Sequence, residues 1–237
     1  MARVALVTGA AGGIGRTIGL ALAGEGINVV FHYRTSRTEA EAAVAEARQT
    51  GVDSCALAGE VTDPQGARSL VEAAASAWGR LDIVVNNVGD YLYKPVEDLL
   101  PEEWDGILAS NLNSVFYVTQ AALPYLQDSP AGRVINLGYA GAQNLLGRTH
   151  ITPYVIAKTG VIVYSKALAK RMASKGVTVN VVAPGVAINS VRQPLDQIPA
   201  GRAAALGEIA QAALFFAREE SGYLTGQVLE VAGGWNL

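Results

Sequence analysis

Tyr154 and Lys158 stand four residues apart in "YVIAK". On a helix that spacing puts both side chains on one face. An ammonium beside a phenol lowers the phenol's pKa toward neutrality, and a phenol so tuned is a usable general acid toward a carbonyl oxygen. The spacing is also common in exposed surface pairs, so the rest of the chain has to say whether this one does chemistry. From Leu137 to Arg148, just before the pair, no serine or threonine is available to hold a substrate oxygen.

A second cluster lies at the N-terminal end. "TGAAGGIG" carries Gly9, Gly13 and Gly15 directly after the apolar run 3–8 and before a helical pattern that starts near Ile14. Glycines there let the backbone turn tightly and approach a pyrophosphate, and the helix N-terminus attracts the anion. About twenty residues further on, an NAD site would place an acid against the ribose. The segment "VVFHYRTSRT" has no acid, and the first one after Gly26 is Glu39. Arg34 and Arg37 stand there instead, suited to a 2′-phosphate. A solvated basic turn is the plainer alternative. The expected cofactor is NADPH rather than NADH, with Arg34 preferred over Arg37 because it follows the strand end directly.

Both clusters need elements to hold them. Apolar, β-rich runs at 3–8, 28–33, 54–59, 82–87, 133–138, 177–184 and 227–233 alternate with alanine-rich helical stretches near 13–24, 37–50, 63–78, 102–127, 153–175 and 207–217. Strands apolar on both sides belong in a parallel sheet covered by helices on both faces. Asp63-Pro64 reads as a helix cap followed by proline at the first helical position. The pattern predicts a single-domain α/β chain over 1–237, a doubly wound, Rossmann-type parallel sheet of seven strands with right-handed crossovers. In such sheets ligands bind beyond the carboxyl ends of the strands, where both clusters fall.

Composition narrows the class. The 237 residues are half hydrophobic and 16% charged, with 26 glycines and a net charge of −3. That suits a compact protein with a sizeable core and argues against nucleic acid or an anionic membrane surface as the main partner. One cysteine, Cys55, cannot pair internally, and with His32 and His150 it makes no zinc-type ligand set, so no metal is expected. There is no signal-peptide pattern in "MARVALVTGAAGG" and no apolar run long enough to span a bilayer, so the expected location is cytoplasmic.

Taken together, several stretches resemble the short-chain dehydrogenase/reductase family over nearly the whole chain. "TGAAGGIG" is similar to its cofactor turn and "NNVG" (86–89) to its Asn-Asn-Ala-Gly. Asn111 matches its helix asparagine, "YVIAK" its Tyr-x-x-x-Lys, "APGVAIN" its Pro-Gly turn and "GYLTGQVLEVAGG" its last strand region. The resemblance implies reduction of a ketone to an alcohol. Tyr154 would donate the proton, Lys158 would hold the cofactor ribose and lower the tyrosine pKa, and Asn111 would position a relay water. Gly9, Gly13, Ile14, Gly15, Asn87, Gly89, Pro184, Gly185 and Ile188 would contact the cofactor, Ile188 at its carboxamide. It also implies a homotetramer or homodimer, built through the helices at 102–127 and 153–175 and the C-terminal segment.

Departures from the family pattern are informative. Its catalytic serine has no counterpart. Aligning "RVINLGYAG" by the strand puts Tyr139 there, 15 residues before Tyr154, and counting back from Tyr154 puts Gly141 there. Tyr139 is favoured, as an O–H donor to the substrate oxygen or as a pocket wall, and Asn144 is a weaker donor in the same loop. Asn189 replaces a threonine at the pyrophosphate, Glu60 an aspartate at the adenine, and Ala232 an acid in the C-terminal turn. A short substrate lid is expected near 186–206. "GDYLYKP" (89–95) sets Asp90, Tyr91 and Tyr93 beside the nicotinamide face, where they either bind a flat, amine-bearing ring or simply pack the loop. Three functions follow. The leading one is an NADPH-dependent reductase of a small carbonyl compound in the style of 3-oxoacyl-thioester reductases. The others are a pteridine-type C=N or C=C reductase and a cofactor-binding protein whose catalysis is reduced or lost.

Overall fold

The computed structural model describes residues 2–236. Seven strands, β1 (Val4–Val7), β2 (Asn28–Tyr33), β3 (Ser54–Ala58), β4 (Ile83–Asn86), β5 (Arg133–Leu137), β6 (Thr178–Pro184) and β7 (Val228–Val231), form one sheet in the order β3-β2-β1-β4-β5-β6-β7. Every pairing is parallel. The order reverses between β1 and β4, which opens the crevice where such sheets take ligands. This is the Rossmann-type architecture that the alternating pattern predicts.

The apolar runs are strands because both of their faces are covered. In β1, Ala5 and Val7 join one core with Ile18 and Leu22 of α1 (Gly13–Gly24), Val44 of α2 (Arg37–Arg48) and Ile209 and Phe216 of α7 (Leu206–Ala217). Val4 and Leu6 join the other core with Leu70 and Val71 of α3 (Pro64–Trp78), Val118 and Leu126 of α5 (Ser114–Asp128) and Leu168 of α6 (Thr152–Met172). Alternate residues of one strand therefore serve opposite layers. The expected cap is present, with Asp63 accepting from the Gly66 amide at 2.7 Å.

One element differs from its sequence pattern. The stretch 102–127 reads as continuous helix, but α4 (Pro101–Leu108) gives way to a π-helical turn, Ala109–Asn113, before α5 begins. The apolar period carries no sign of this. Polar side chains open the turn: Asn111 Nδ2 donates to the Ile107 carbonyl at 3.1 Å, and Ser114 Oγ to the Ser110 carbonyl at 2.6 Å. The last strand is also shorter than expected, because the chain turns at Ala232, whose carbonyl accepts from the Trp235 amide at 3.0 Å. Residues 186–206 form an irregular flap with one short 3-10 turn, Leu195–Gln197, closed at its base by Ala187 bridging Ala204.

Candidate active site

The carboxyl ends of β1, β2, β4, β5 and β6 frame two adjoining cavities, of 640 and 330 Å³, that share Gly12, Asn87 and Gly89. In the turn after β1, side chains bonded to backbone add to the Ala10 amide's bond to the His32 carbonyl at 2.8 Å. His32 Nδ1 accepts from the Gly9 amide at 3.0 Å, and its Nε2 lies 3.2 Å from the Gly59 carbonyl. Asn87 Nδ2 donates to the Thr8 and Gly9 carbonyls, both at 3.0 Å. Gly15 lies inside this brace, and a Cβ there would stand 2.5 Å from both Asn87 Nδ2 and the Gly9 carbonyl. Its role is close packing, while Gly12, Gly13 and Ile14 line the larger cavity and Gly9 the smaller. His32, only 2% exposed and held below its usual imidazole pKa by burial, was not legible as a brace in the sequence.

The smaller cavity is lined by Gly9, His32, Arg34, Ser36, Glu60, Val61 and Asp90, among others. Arg34 Nη1 lies 3.8 Å from Glu60 Oε2, whereas Arg37 turns back along its own helix to Glu41 at 2.7 Å. Arg34 thus lies in the wall of the smaller cavity and Arg37 outside it. Asp90 was expected on the substrate side and lies elsewhere: its main chain is tied to Ser110 and Asn111, and it lines the smaller cavity only.

At the other end, α6 is fixed to the sheet by a buried polar chain. Asn86 Nδ2 donates to Asn136 Oδ1 at 2.8 Å and to Thr119 Oγ1 at 2.9 Å, and Asn136 Nδ2 donates to Ser165 Oγ at 2.8 Å. Such a network, fully paired, sets the helix in one position. Tyr154 and Lys158 then face the larger cavity from α6. Lys158 is 3% exposed, donates from Nζ to the Leu137 carbonyl at 2.8 Å, and is pushed down to about 8 by burial. Its Nζ lies 5.6 Å from the Tyr154 ring centroid.

The Tyr154 phenol is shifted upward, first by burial and then by the Tyr139 and Tyr91 phenols. That is opposite to the depression expected from a lysine neighbour. Here the ammonium is committed to the Leu137 carbonyl, and the cost of burying a phenolate dominates.

Asn111, fully buried on the π turn, spends its Nδ2 on the carbonyls of Asp90 and Ile107, and its Oδ1 has no partner among the described residues. A Cβ at Gly89 would stand 2.3 Å from that oxygen and 3.4 Å from Lys158 Nζ. Three predicted residues thus converge on one point, and glycine is the only residue type that leaves it open.

Tyr139, 9% exposed at the end of β5, packs edge-on against Tyr154 at 5.6 Å and Trp235 at 5.8 Å and lines the larger cavity. Tyr91 packs edge-on against Tyr154 at 5.3 Å. Pro184, Gly185 and Asn189 also line this cavity.

Two further expectations do not match the structure. Ile188 points to solvent, 58% exposed, and its amide is spent on the Ala204 carbonyl at 3.0 Å; the adjacent Ala187, 2% exposed, lines the cavity in its place. Asn144 lies outside the cavity, with its Nδ2 donating to the Asn236 carbonyl at 2.6 Å. Arg148, His150, Arg192 and Trp235 fall in no sequence motif, and the structure adds them to the cavity wall.

The sheet order, the braced glycine turn and the converging Tyr154, Lys158 and Asn111 define a dinucleotide-type α/β oxidoreductase. Comparison with known proteins makes this specific. A family model described as Enoyl-(Acyl carrier protein) reductase matches residues 9–236. The 3-oxoacyl-[acyl-carrier-protein] reductase FabG of Staphylococcus aureus is 37% identical over 243 residues, covering 99% of this chain and 98% of the relative. The Escherichia coli FabG is 37% identical, covering 98% and 96%. A solved structure described as a short-chain alcohol dehydrogenase from Sinorhizobium meliloti superposes with a TM-score of 0.93 at 32% identity, covering 99% and 97%. The chain belongs to the short-chain dehydrogenase/reductase family and is an oxidoreductase. No helix among the described residues is long and apolar enough to cross a membrane.

Proposed function

We propose that this protein reduces a ketone to an alcohol with NADPH, with Tyr154 as the proton donor. The observation that carries the proposal is the convergence of Tyr154, Lys158 and the unpartnered Asn111 Oδ1 on one cavity wall. The residues suit the cofactor. Gly12, whose Cβ position is free of neighbours within 4 Å, leaves room beside the glycine turn, and Arg34 and Ser36 line the adjoining cavity as donors for a phosphate. NADPH, when bound, supplies the hydride.

The chain's own residues do the rest. A phenol raised by burial keeps its proton at neutral pH, so Tyr154 enters the reaction as an acid and gives its O–H proton to the carbonyl oxygen. Lys158, poised near 8, holds a ribose hydroxyl and replaces that proton through Asn111 and an intervening water. Tyr139 is the candidate donor in the place of the usual serine: its phenol is also raised by burial, and its ring abuts Tyr154. Pteridine-type reduction is not taken up, because Asp90, the acid it leaned on, lies outside the larger cavity. Loss of catalysis is not taken up either, since Asn111, Tyr154 and Lys158 all remain together.

We place the protein in an assembly of identical chains through α5 and α6, which expose Phe116, Ile156 and Val163. The test of function is NADPH oxidation with oxo acids, ketoesters, diketones and an acetoacetyl thioester, run beside Tyr154→Phe. Tyr154→Phe is expected to lose on the order of 10²–10⁴ in kcat. Full turnover in that variant would sink the assignment.

A further inference from the structure

The larger cavity has an unbalanced charge. The chain carries 21 acids and a net charge of −3, yet no aspartate or glutamate lines this cavity, while Lys158, Arg148 and Arg192 do. Lys158 serves the Leu137 carbonyl at the catalytic end. The two arginines have no such duty to an acid: the ion pairs among the described residues include neither.

Both guanidiniums are nevertheless held in place. Arg192, on the flap, lies with its Cζ 4.2 Å from the Tyr93 ring centroid, and Tyr93 stacks on His150 at 4.7 Å. Arg148 lies 6.0 Å from the Trp235 ring centroid and donates from Nη2 to Asn236 Oδ1. A guanidinium laid on a ring, as Arg192 is, keeps its N–H edge free for a planar, bidentate acceptor, while Arg148 has given Nη2 to Asn236.

Their position relative to Tyr154 matters most. Arg192 is close enough to Tyr91, and Arg148 to Tyr139, for each charge to pull that phenol's pKa down against the effect of burial. Tyr91 and Tyr139 are the two rings packed on Tyr154. The cations therefore stand one aromatic ring beyond the proposed proton donor. They belong to the substrate side, since the Tyr93 loop is joined to His150 through the Lys94 amide at 2.8 Å and not to the glycine turn.

We infer that Arg148 and Arg192 form an anion-binding subsite, and that the substrate is a compact carbonyl compound bearing a carboxylate a few bonds from its C=O, not a neutral ketone or a carrier-bound acyl thioester. This rests on the carbonyl-reductase function proposed above. Tyr91, Tyr139 and Trp235 supply the apolar wall between the carboxylate and the reacting carbon.

Matched substrates test it. NADPH oxidation is followed with 2-oxo and 3-oxo acids, their methyl esters, and 3-oxoacyl thioesters of N-acetylcysteamine. The free acids are expected to exceed the esters in kcat/KM by at least about tenfold. Charge-assisted contacts of this kind set an acid-to-ester ratio that Arg192→Gln or Arg148→Gln should cut by about 10–100-fold, mainly through KM. Arg192→Lys should keep part of it. Arg192 is on the exposed flap, so its variants test the subsite even if Arg148→Gln folds poorly. A second arm titrates the oxo acids into the Tyr154→Phe protein by calorimetry.

Equal turnover of acids and esters, or a preference for the thioesters, overturns the subsite and leaves carbonyl reduction standing. Failure to reduce any carbonyl, with oxo-acid binding that Arg192→Gln abolishes, overturns the function and supports the subsite. Absence of both turnover and binding overturns both.

Discussion

The two ends of the cleft are built on different principles. At the nucleotide end, His32 and Asn87 bond to backbone of the glycine turn, Thr8 Oγ1 accepts from the Asn87 amide, and all lie at ends of neighbouring strands. At the carbonyl end, the loop 139–151 is held by the other end of the chain. Asn236 Nδ2 donates to the Ala140 carbonyl at 3.2 Å, its carbonyl accepts from Asn144, and its Oδ1 accepts from Arg148. Glu230 Oε1 accepts from the Gly141 amide at 2.9 Å. A site made of backbone turns is set by where small residues fall in the sequence. A site made by tail docking is set by where a segment beyond the last strand comes to rest on a loop, and short patterns cannot encode that.

Four experiments can break or sharpen this contrast. The largest effect is expected at the carbonyl end: Tyr139→Phe should lower kcat by about 10²–10³ if its hydroxyl supports the developing oxyanion, with cofactor affinity unchanged. A change within a few-fold would make Tyr139 a wall of the pocket and not the oxygen-holding donor. At the nucleotide end, Gly15→Ala forces a methyl onto the Gly9 carbonyl and Asn87, 2.5 Å away. Overpacking of that kind costs about 1–3 kcal/mol, roughly 2–4 °C in Tm per kcal/mol, with weakened NADPH binding. An unchanged Tm and cofactor Kd would show that the turn is less tightly braced than its geometry implies.

The third experiment is a pH profile. Burial lowers Lys158 from 10.5 to about 8, so its ammonium is lost above that pH in the folded protein. kcat/KM should hold below about pH 8 and fall up to tenfold per unit above it, and Lys158→Met should remove that limb along with most of the activity. Stability responds with the opposite sign. Between about 8 and 10.5 the unfolded chain binds more protons at this residue than the folded one, so the Lys158 contribution to stability rises with pH across the window. A profile flat through pH 9 would show that the ammonium is not required.

The smallest effect is expected at the clamp. Asn236→Ala removes the two side-chain hydrogen bonds, to Arg148 and the Ala140 carbonyl, each worth about 0.5–1.5 kcal/mol net when buried and less at this partly open surface, and leaves the backbone bond from Asn144 in place. It should raise the substrate KM several-fold while the NADPH Kd holds. Equal changes in both constants would erase the distinction between the two ends.

Most of the fold was legible because both faces of the central strands are buried, which writes continuous apolar runs, and because the helices between them keep their period. The π turn was not, since Ser110, Asn111 and Ser114 disturb the helix through hydrogen bonds without disturbing its apolar pattern. Gly9, Gly13, Ile14, Arg34 and Gly89 were legible because short strand-end turns leave few places for a side chain to go, and Tyr154 and Lys158 because their four-residue spacing puts both on one face of α6. Ile188 was misplaced by one residue: the flap's bridge to Ala204 turns it outward, and that bridge is a tertiary contact. Asp90 and Asn144 were misplaced for a similar reason, each committed to a partner distant in sequence or on a neighbouring element.

By itself, then, the sequence determined a doubly wound sheet, a glycine turn after its first strand and a Tyr-x-x-x-Lys helix, all of which follow from local spacing and burial period. Only the tertiary structure decided what surrounds Tyr154. The flap brings Arg192 over Tyr93, and the C-terminal turn brings Trp235 against Tyr139 and Asn236 onto Arg148. Those contacts join segments with no local pattern in common, and they come into being only once the sheet has fixed where each segment ends.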